Sequence, residues 1–326
     1  NLKSKFKNPK KAFKKLIAVF MVLILVSCAA GGGLVFSAVL DRESLFSRDR
    51  ANKNKAANAS SAQYSKADAT ESAQFGLSAK DVYITSDDGL KLHGYLAENK
   101  KSNGKCAIIF HGYTSEGSHM KRYAKHFYKL GYSILAPDAR AHGTSEGRIR
   151  GMGWLERKDA VCWANMLVQK NKDCKIVLFG VSMGGATVMM ASAQETLPKQ
   201  VFAVVEDCGY TSVWDEFAFR LKSMAGLPPF PVLSLADLIT KWFGGYSFKE
   251  ASAIEQVRNS KVPILFIHGE EDSFVPFSML GELYCAAGCD KRKLVIPGAG
   301  HAKSSSTDPD TYWSTVEEFL NGCMPK

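Results

Sequence analysis

KIVLFGVSMGGATVMMAS, residues 175–192, reads as a short apolar run that stops at a glycine and resumes as a chain of small and apolar residues. Lys175 to Phe179 has the near-continuous apolar character of a strand covered on both faces, and Gly184 to Gln194 reads as a helix. Between them Gly180, Val181, Ser182, Met183 and Gly184 spell G-x-S-x-G. A chain that passes from strand to helix over so few residues must turn sharply at Ser182, and glycines on either side let the two elements approach closely enough to permit it. Such a turn lifts the Ser182 hydroxyl out of the sheet, while the NH of Met183 and the helix N-terminus face any negative charge that develops there. A glycine-rich turn alone carries no chemistry, so the reading depends on its company.

Outward from this stretch the same alternation repeats. Cys106 to Phe110, Tyr132 to Ala136, Val201 to Val205, Val262 to Ile267 and Lys293 to Ile296 are further short apolar runs. Met120 to Leu130, Trp154 to Gln169, Ser278 to Ala287 and Pro309 to Asn321 have helical patterning. Val82 to Thr85 and Lys91 to Ala97 alternate, and Asp87, Asp88 and Gly89 between them make a hairpin turn. Strand and helix in alternation predict an α/β fold, a doubly wound and mostly parallel sheet with functional groups at the carboxyl ends of its strands.

A serine nucleophile needs a base, and the base needs an orienting carboxylate. His301, in GAGHA, follows the run that ends at Ile296, and Asp272, in GEEDSFVP, follows the run that ends at Ile267. Ser182, Asp272 and His301 then stand in the order nucleophile, acid, base. Asp207, just after Val201 to Val205, is a rival acid. His111, Gly112 and Tyr113 follow Cys106 to Phe110, which places the NH of Tyr113 beside that of Met183 as a second oxyanion donor. His93, His119, His126 and His268 read as surface or packing residues, and His142 has no assigned role. Tyr210 to about Val257 is too long for one covering helix and holds eight aromatic residues after Tyr210, which predicts a helical cap.

HGYTSEG, DARAHGTSEG, GVSMGG, GxxDxxVP and GxGH together resemble the α/β-hydrolase superfamily, in particular bacterial membrane-anchored serine hydrolases related to the serine aminopeptidases and prolyl-oligopeptidase-like enzymes. The resemblance covers about 82–321 and implies the α/β-hydrolase fold: an eight-stranded, mostly parallel sheet flanked by helices, with a cap after strand 6. The Val-Pro after Asp272 matches the family's acid motif and favours that residue over Asp207. Ala141 departs from the pattern, which commonly has glycine there. The implied activity is cleavage of a carboxylic ester through an acyl-enzyme. Peptidase or thioesterase action is the alternative within the same chemistry, and a non-catalytic tethered binding protein lies outside it. No cofactor or metal is expected, since HExxH, P-loop and post-strand GxGxxG patterns are missing.

The net charge of +10 comes largely from seven lysines that precede Leu16. The remainder is near neutral, so no nucleic-acid partner is expected. Leu16 to Leu40 is 25 residues without a charge, long enough as a helix to cross about 30 Å of hydrocarbon. The expected organisation is a basic cytoplasmic tail at 1–15, a transmembrane anchor at 16–40, a flexible stalk at 41–79 and a catalytic domain at 80–326, with its cap at about 210–257. The positive-inside rule puts that domain outside the cell membrane. A cleaved signal, or a lipoprotein lipidated at Cys28, remains open as an alternative. The other seven cysteines form no CxxC pair and are expected to be free thiols.

Overall fold

The computed structural model describes residues 30–44 and 77–325. Its eight strands are β1 (Lys80–Thr85), β2 (Lys91–Ala97), β3 (Lys105–Phe110), β4 (Ser133–Pro137), β5 (Lys175–Val181), β6 (Val201–Asp207), β7 (Ile264–Gly269) and β8 (Lys291–Ile296). They form one sheet in the order β1-β2-β4-β3-β5-β6-β7-β8. The β1–β2 hairpin joins antiparallel, and β3 to β8 are mutually parallel. Each strand coincides with an expected run, shifted by a residue or two at its ends. The run from Val262 begins pairing only at Ile264 because Pro263 has no NH to donate. β6 continues past Val205 through Glu206 and Asp207, which are acidic yet fully buried.

Helix α1 (Lys121–Lys129), α2 (Glu156–Lys170) and α3 (Met183–Ala191) follow β3, β4 and β5. After β6 the cap contributes α4 (Val213–Ala225), α5 (Val232–Gly244) and α6 (Ala253–Val257). Then α7 (Ser278–Ala286) follows β7, and α8 (Ser304–Thr307) and α9 (Pro309–Cys323) end the chain. Strand residues alternate between two cores, as a period of two requires. Ile108, Leu178 and Phe266 pack with α2, α3 and α7 on one face. Ile109, Phe179 and Ile267 pack with Phe127 of α1 and Tyr312, Val316 and Leu320 of α9 on the other. Cys106, Cys162, Cys174, Cys208, Cys285, Cys289 and Cys323 are free thiols.

The expected N-terminal organisation falls only in part on the described residues. Residues 30–35 are helical and a π-helical turn follows at Phe36–Leu40, but no helix among the described residues is long and apolar enough to cross a membrane. Most of the expected anchor, 16–29, lies outside them, as do residues 45–76 of the expected stalk. What is described of both segments is fastened to the catalytic body. Leu40 is fully buried in the core on the α2–α3 face. Asp41 takes a two-pronged bond from Arg148, at 3.0 Å and 2.8 Å. Arg42 donates to the carbonyls of Ser145 and Gly143, at 2.6 Å and 2.7 Å. At this junction, Leu40, Asp41 and Arg42 rest on the catalytic body. The apolar count predicts only that residues 30–40 avoid water, and a protein core satisfies that as well as lipid does.

Candidate active site

Ser182 stands between β5 and α3 at φ 57° and ψ −118°, a strained conformation for a residue with a side chain. Its surroundings leave no alternative path. A Cβ on Gly180 would come 2.1 Å from the carbonyl oxygen of Gly184, and one on Gly184 would come 2.2 Å from that of Phe110. The NH of Ser182 donates to the carbonyl of Asp207 at 2.8 Å, which ties the turn to the end of β6.

The three residues singled out for catalysis lie beyond the carboxyl ends of β5, β7 and β8, and the fold brings them together. His301 Nε2 is 3.0 Å from the Ser182 hydroxyl, and His301 Nδ1 is 2.7 Å from Asp272 Oδ2. With its Nδ1 proton donated to Asp272, the ring leaves Nε2 free to accept from Ser182. The other carboxylate oxygen, Oδ1, accepts the NH groups of Phe274 and Val275 at 2.8 Å and 2.9 Å. Burial opposes charge on Asp272, but the bonds from His268 and His301 outweigh it and hold the carboxyl well below the usual range.

Asp207, the rival acid, has another occupation. Its Oδ2 accepts the Tyr312 hydroxyl at 3.0 Å, and burial pushes its carboxyl up to about 6. The expected oxyanion residues belong to the start of α3 and to the loop after β3. Met183 opens α3, where the first NH groups have no intrahelical acceptor. Tyr113 follows Gly112, whose Cα lies so near that an added Cβ would sit 3.4 Å from that of Ser182. His111 braces this loop: its Nδ1 donates to the Gly112 carbonyl at 2.8 Å, and its Nε2 accepts the Ala139 NH at 3.0 Å. Burial favours its neutral ring.

Five features escape sequence reasoning. His268, expected to be a surface or packing residue, is fully buried, and its Nε2 lies 3.3 Å from Asp272 Oδ2 and 3.1 Å from the Val275 carbonyl. Its spacing of four residues from Asp272 was the available signal. His93 is likewise no mere packing residue, since its two ring nitrogens meet Asp138 at 2.8 Å and Asp81 at 2.9 Å. Phe274 stacks on His301 with centroids 4.8 Å apart, and Arg220 of α4 lies 4.0 Å over the Phe274 ring. Glu216 of α4 is buried with both carboxylate oxygens unpartnered. His142 is buried beside His111, with ring centroids 5.1 Å apart, and burial keeps it neutral.

Cys208, Asp272 and His301 form one group among the described residues that could bring three ligand atoms within 4.8 Å of one another. Burial pushes the Cys208 thiol far up, and the Asp272 oxygens and both His301 nitrogens are engaged as above. The arrangement suits proton transfer to and from Ser182.

Comparison with known proteins agrees with the fold. The family described as serine aminopeptidase, S33, matches residues 101–228. The uncharacterized Bacillus subtilis protein YqkD is 30% identical over 240 residues, 73% of this chain and 78% of its own length. The Arabidopsis thaliana α/β-hydrolase domain-containing protein WAV2 is 25% identical over 265 residues, 78% of this chain and 82% of its own. Among solved structures, an esterase of Pyrococcus furiosus superposes with a TM-score of 0.63 at 26% identity, covering 79% of this chain and 96% of the esterase.

Proposed function

Because the chain belongs to the α/β hydrolases of the serine aminopeptidase family and is a hydrolase, we propose that it cleaves small carboxylic esters through an acyl-enzyme formed on Ser182. The observation that carries this reading is the unbroken chain of hydrogen bonds from Ser182 through His301 to Asp272. The Ser182 oxygen attacks the ester carbonyl carbon while its proton passes to His301 Nε2. The NH groups of Tyr113 and Met183 hold the resulting oxyanion. The carbon–oxygen bond to the alcohol then breaks, and His301 returns the proton to the departing oxygen. Water next attacks the acyl carbon, gives its proton to His301, and the acid leaves as Ser182 is reprotonated. Asp272 keeps the ring in the required tautomer and stabilises its cationic form without taking the proton. The esterase activity named for the Pyrococcus furiosus neighbour supports the ester as the bond cleaved.

The second part of this reading is location. The uncharged run that begins at Leu16 and the seven lysines before it support a single membrane anchor with the catalytic body outside the cytoplasm. The test of the chemistry is a fluorophosphonate probe together with a panel of ester, thioester and peptide substrates. The expected result is labelling of the wild-type chain that disappears in Ser182→Ala, with esters turned over fastest. Labelling that survives Ser182→Ala would remove Ser182 from its role.

A further inference from the structure

Six large apolar side chains of the cap face outward within a short stretch of chain. Met224, Phe230, Trp242 and Phe243 are each at least 75% exposed, and Leu227 and Leu238 are 45% and 51% exposed. They occupy the end of α4, the connection after it, and α5, where Leu238 and Trp242 share a face four residues apart. An apolar surface of this kind on a soluble body marks a place where something else is meant to sit. We propose that this surface of the cap is seated in the outer face of a phospholipid bilayer, and that the ester cleaved at Ser182 reaches the site from the lipid. This deepens the esterase and anchor readings above and rests on them.

The occupant is identified by where the apolar run ends. Residues 30–35 lie against α5 so closely that a Cβ on Gly32 would meet the Ala236 nitrogen at 2.8 Å, and the Phe36 ring packs 6.2 Å from that of Phe243. Downstream, Leu40 is buried in the body and Asp41 is paired with Arg148, so the chain has left any hydrocarbon by Phe36. About 20 residues are needed to cross a bilayer at 1.5 Å each. Counted back from Val35 they reach Leu16, immediately after the last lysine. A spanning segment must therefore use residues 30–35, the same ones that rest on α5, which puts the exposed face of α5 at the depth of the headgroups and upper acyl chains. Tryptophan and phenylalanine suit that depth. Among residues 221–245 the exposed charged side chains are Lys222 and Lys241, both able to extend to anionic headgroups.

Both walls of the active site connect directly to this surface. The Tyr113 hydroxyl, on the oxyanion loop, donates to the Val39 carbonyl at 2.8 Å. On the other side, Arg220 of α4 covers Phe274, and Phe274 stacks on His301. An acyl chain that leaves the bilayer beneath α4 thus meets the catalytic histidine within two side chains.

The full-length protein is reconstituted into vesicles of phosphatidylcholine and phosphatidylglycerol with or without brominated acyl chains. The expected result is quenching of tryptophan fluorescence by the brominated lipid, most of it lost in Trp242→Phe. In Trp242→Glu combined with Phe243→Glu, hydrolysis of a long-chain ester dispersed in the vesicles, relative to that of a short water-soluble ester, should fall at least about tenfold. Protein that floats with the vesicles but whose quenching is the same with and without Trp242 would overturn the membrane-seated cap while leaving the anchor intact. A ratio of rates unaffected by the double substitution would overturn delivery from lipid. If the wild-type chain hydrolyses neither ester, the esterase reading and the lipid-borne substrate fall together, and the quenching alone decides the membrane face.

Discussion

Asp272 meets two histidines, and only His301 also reaches Ser182. The second, His268, has its Nε2 3.3 Å from Asp272 Oδ2 and helps keep the carboxylate charged, so the loss of that charge acts on the whole site. Asp272→Asn should lower kcat by about 10⁴-fold, because the ring then adopts the wrong tautomer. Asp207→Asn should cost far less, since Asp207 is bonded to Tyr312. Steady-state kinetics of the two variants decide the point, and a larger loss for Asp207→Asn would mean that the acid has been misassigned. Ala141 is a different kind of residue problem. It stands at φ 59°, a region where a Cβ costs about 1–2 kcal/mol and where the family pattern has glycine. Ala141→Gly should raise stability by about 0.5–1 kcal/mol after glycine's own entropy cost is counted. An unchanged or lower melting temperature would show that the Ala141 methyl group is worth more in its buried setting than the strain it causes.

At the scale of an element, α4 binds the cap to the site through Arg220 and at the same time buries Glu216 without a partner. Burial pushes the Glu216 carboxyl up to about 8, so the folded protein holds a proton there that the unfolded chain releases near its ordinary value. The folded state thus binds more protons between the two values, and its stability falls as pH rises from about 4.5 toward 8. Glu216→Gln removes this dependence and should raise the melting temperature at pH 8 by more than at pH 5. Equal effects at both pH values would mean that Glu216 is charged in the fold. The β1–β2 hairpin behaves in the same sense for a different reason. Burial disfavours the charged ring of His93, yet Asp138 and Asp81 together outweigh it and raise its pKa. That contribution is fully present below the histidine's ordinary pKa and is lost as pH rises through the raised one.

For the whole molecule, the segment ahead of the catalytic domain is part of its core. Full burial of a leucine is worth about 1.5–3 kcal/mol, whereas the Asp41 bridge, whose Arg148 side chain is 61% exposed, is worth little. The latch over residues 36–44 is therefore held mainly by Leu40. Leu40→Ala in the full-length chain should lower stability by about 3 kcal/mol. A chain that starts near Ala79 should still fold, because the sheet closes within 80–296, but should melt lower by a similar margin. Denaturant unfolding measures both, and no change in either would mean that residues 36–44 are not docked in solution.

The sequence alone determined the strand order along the chain, the turn at Ser182 and the pairing of Asp272 with His301. These depend on local rules: apolar runs of strand length, glycines where backbones must cross, and motifs whose spacing follows the ends of strands. Only the tertiary structure decided what Asp207, His268, Glu216 and residues 30–44 do. A buried carboxylate reads like an exposed one until its neighbours are known, and Glu206 and Asp207 lie inside a strand that the apolar count ends at Val205. Residues 30–40 are apolar whether they meet lipid or protein, since the hydrophobic effect removes surface from water without specifying what replaces it. Which of the two this segment meets was fixed by residues more than a hundred positions away in the chain: Arg150, whose NH donates to the Leu40 carbonyl, and α5, against which Gly32 lies.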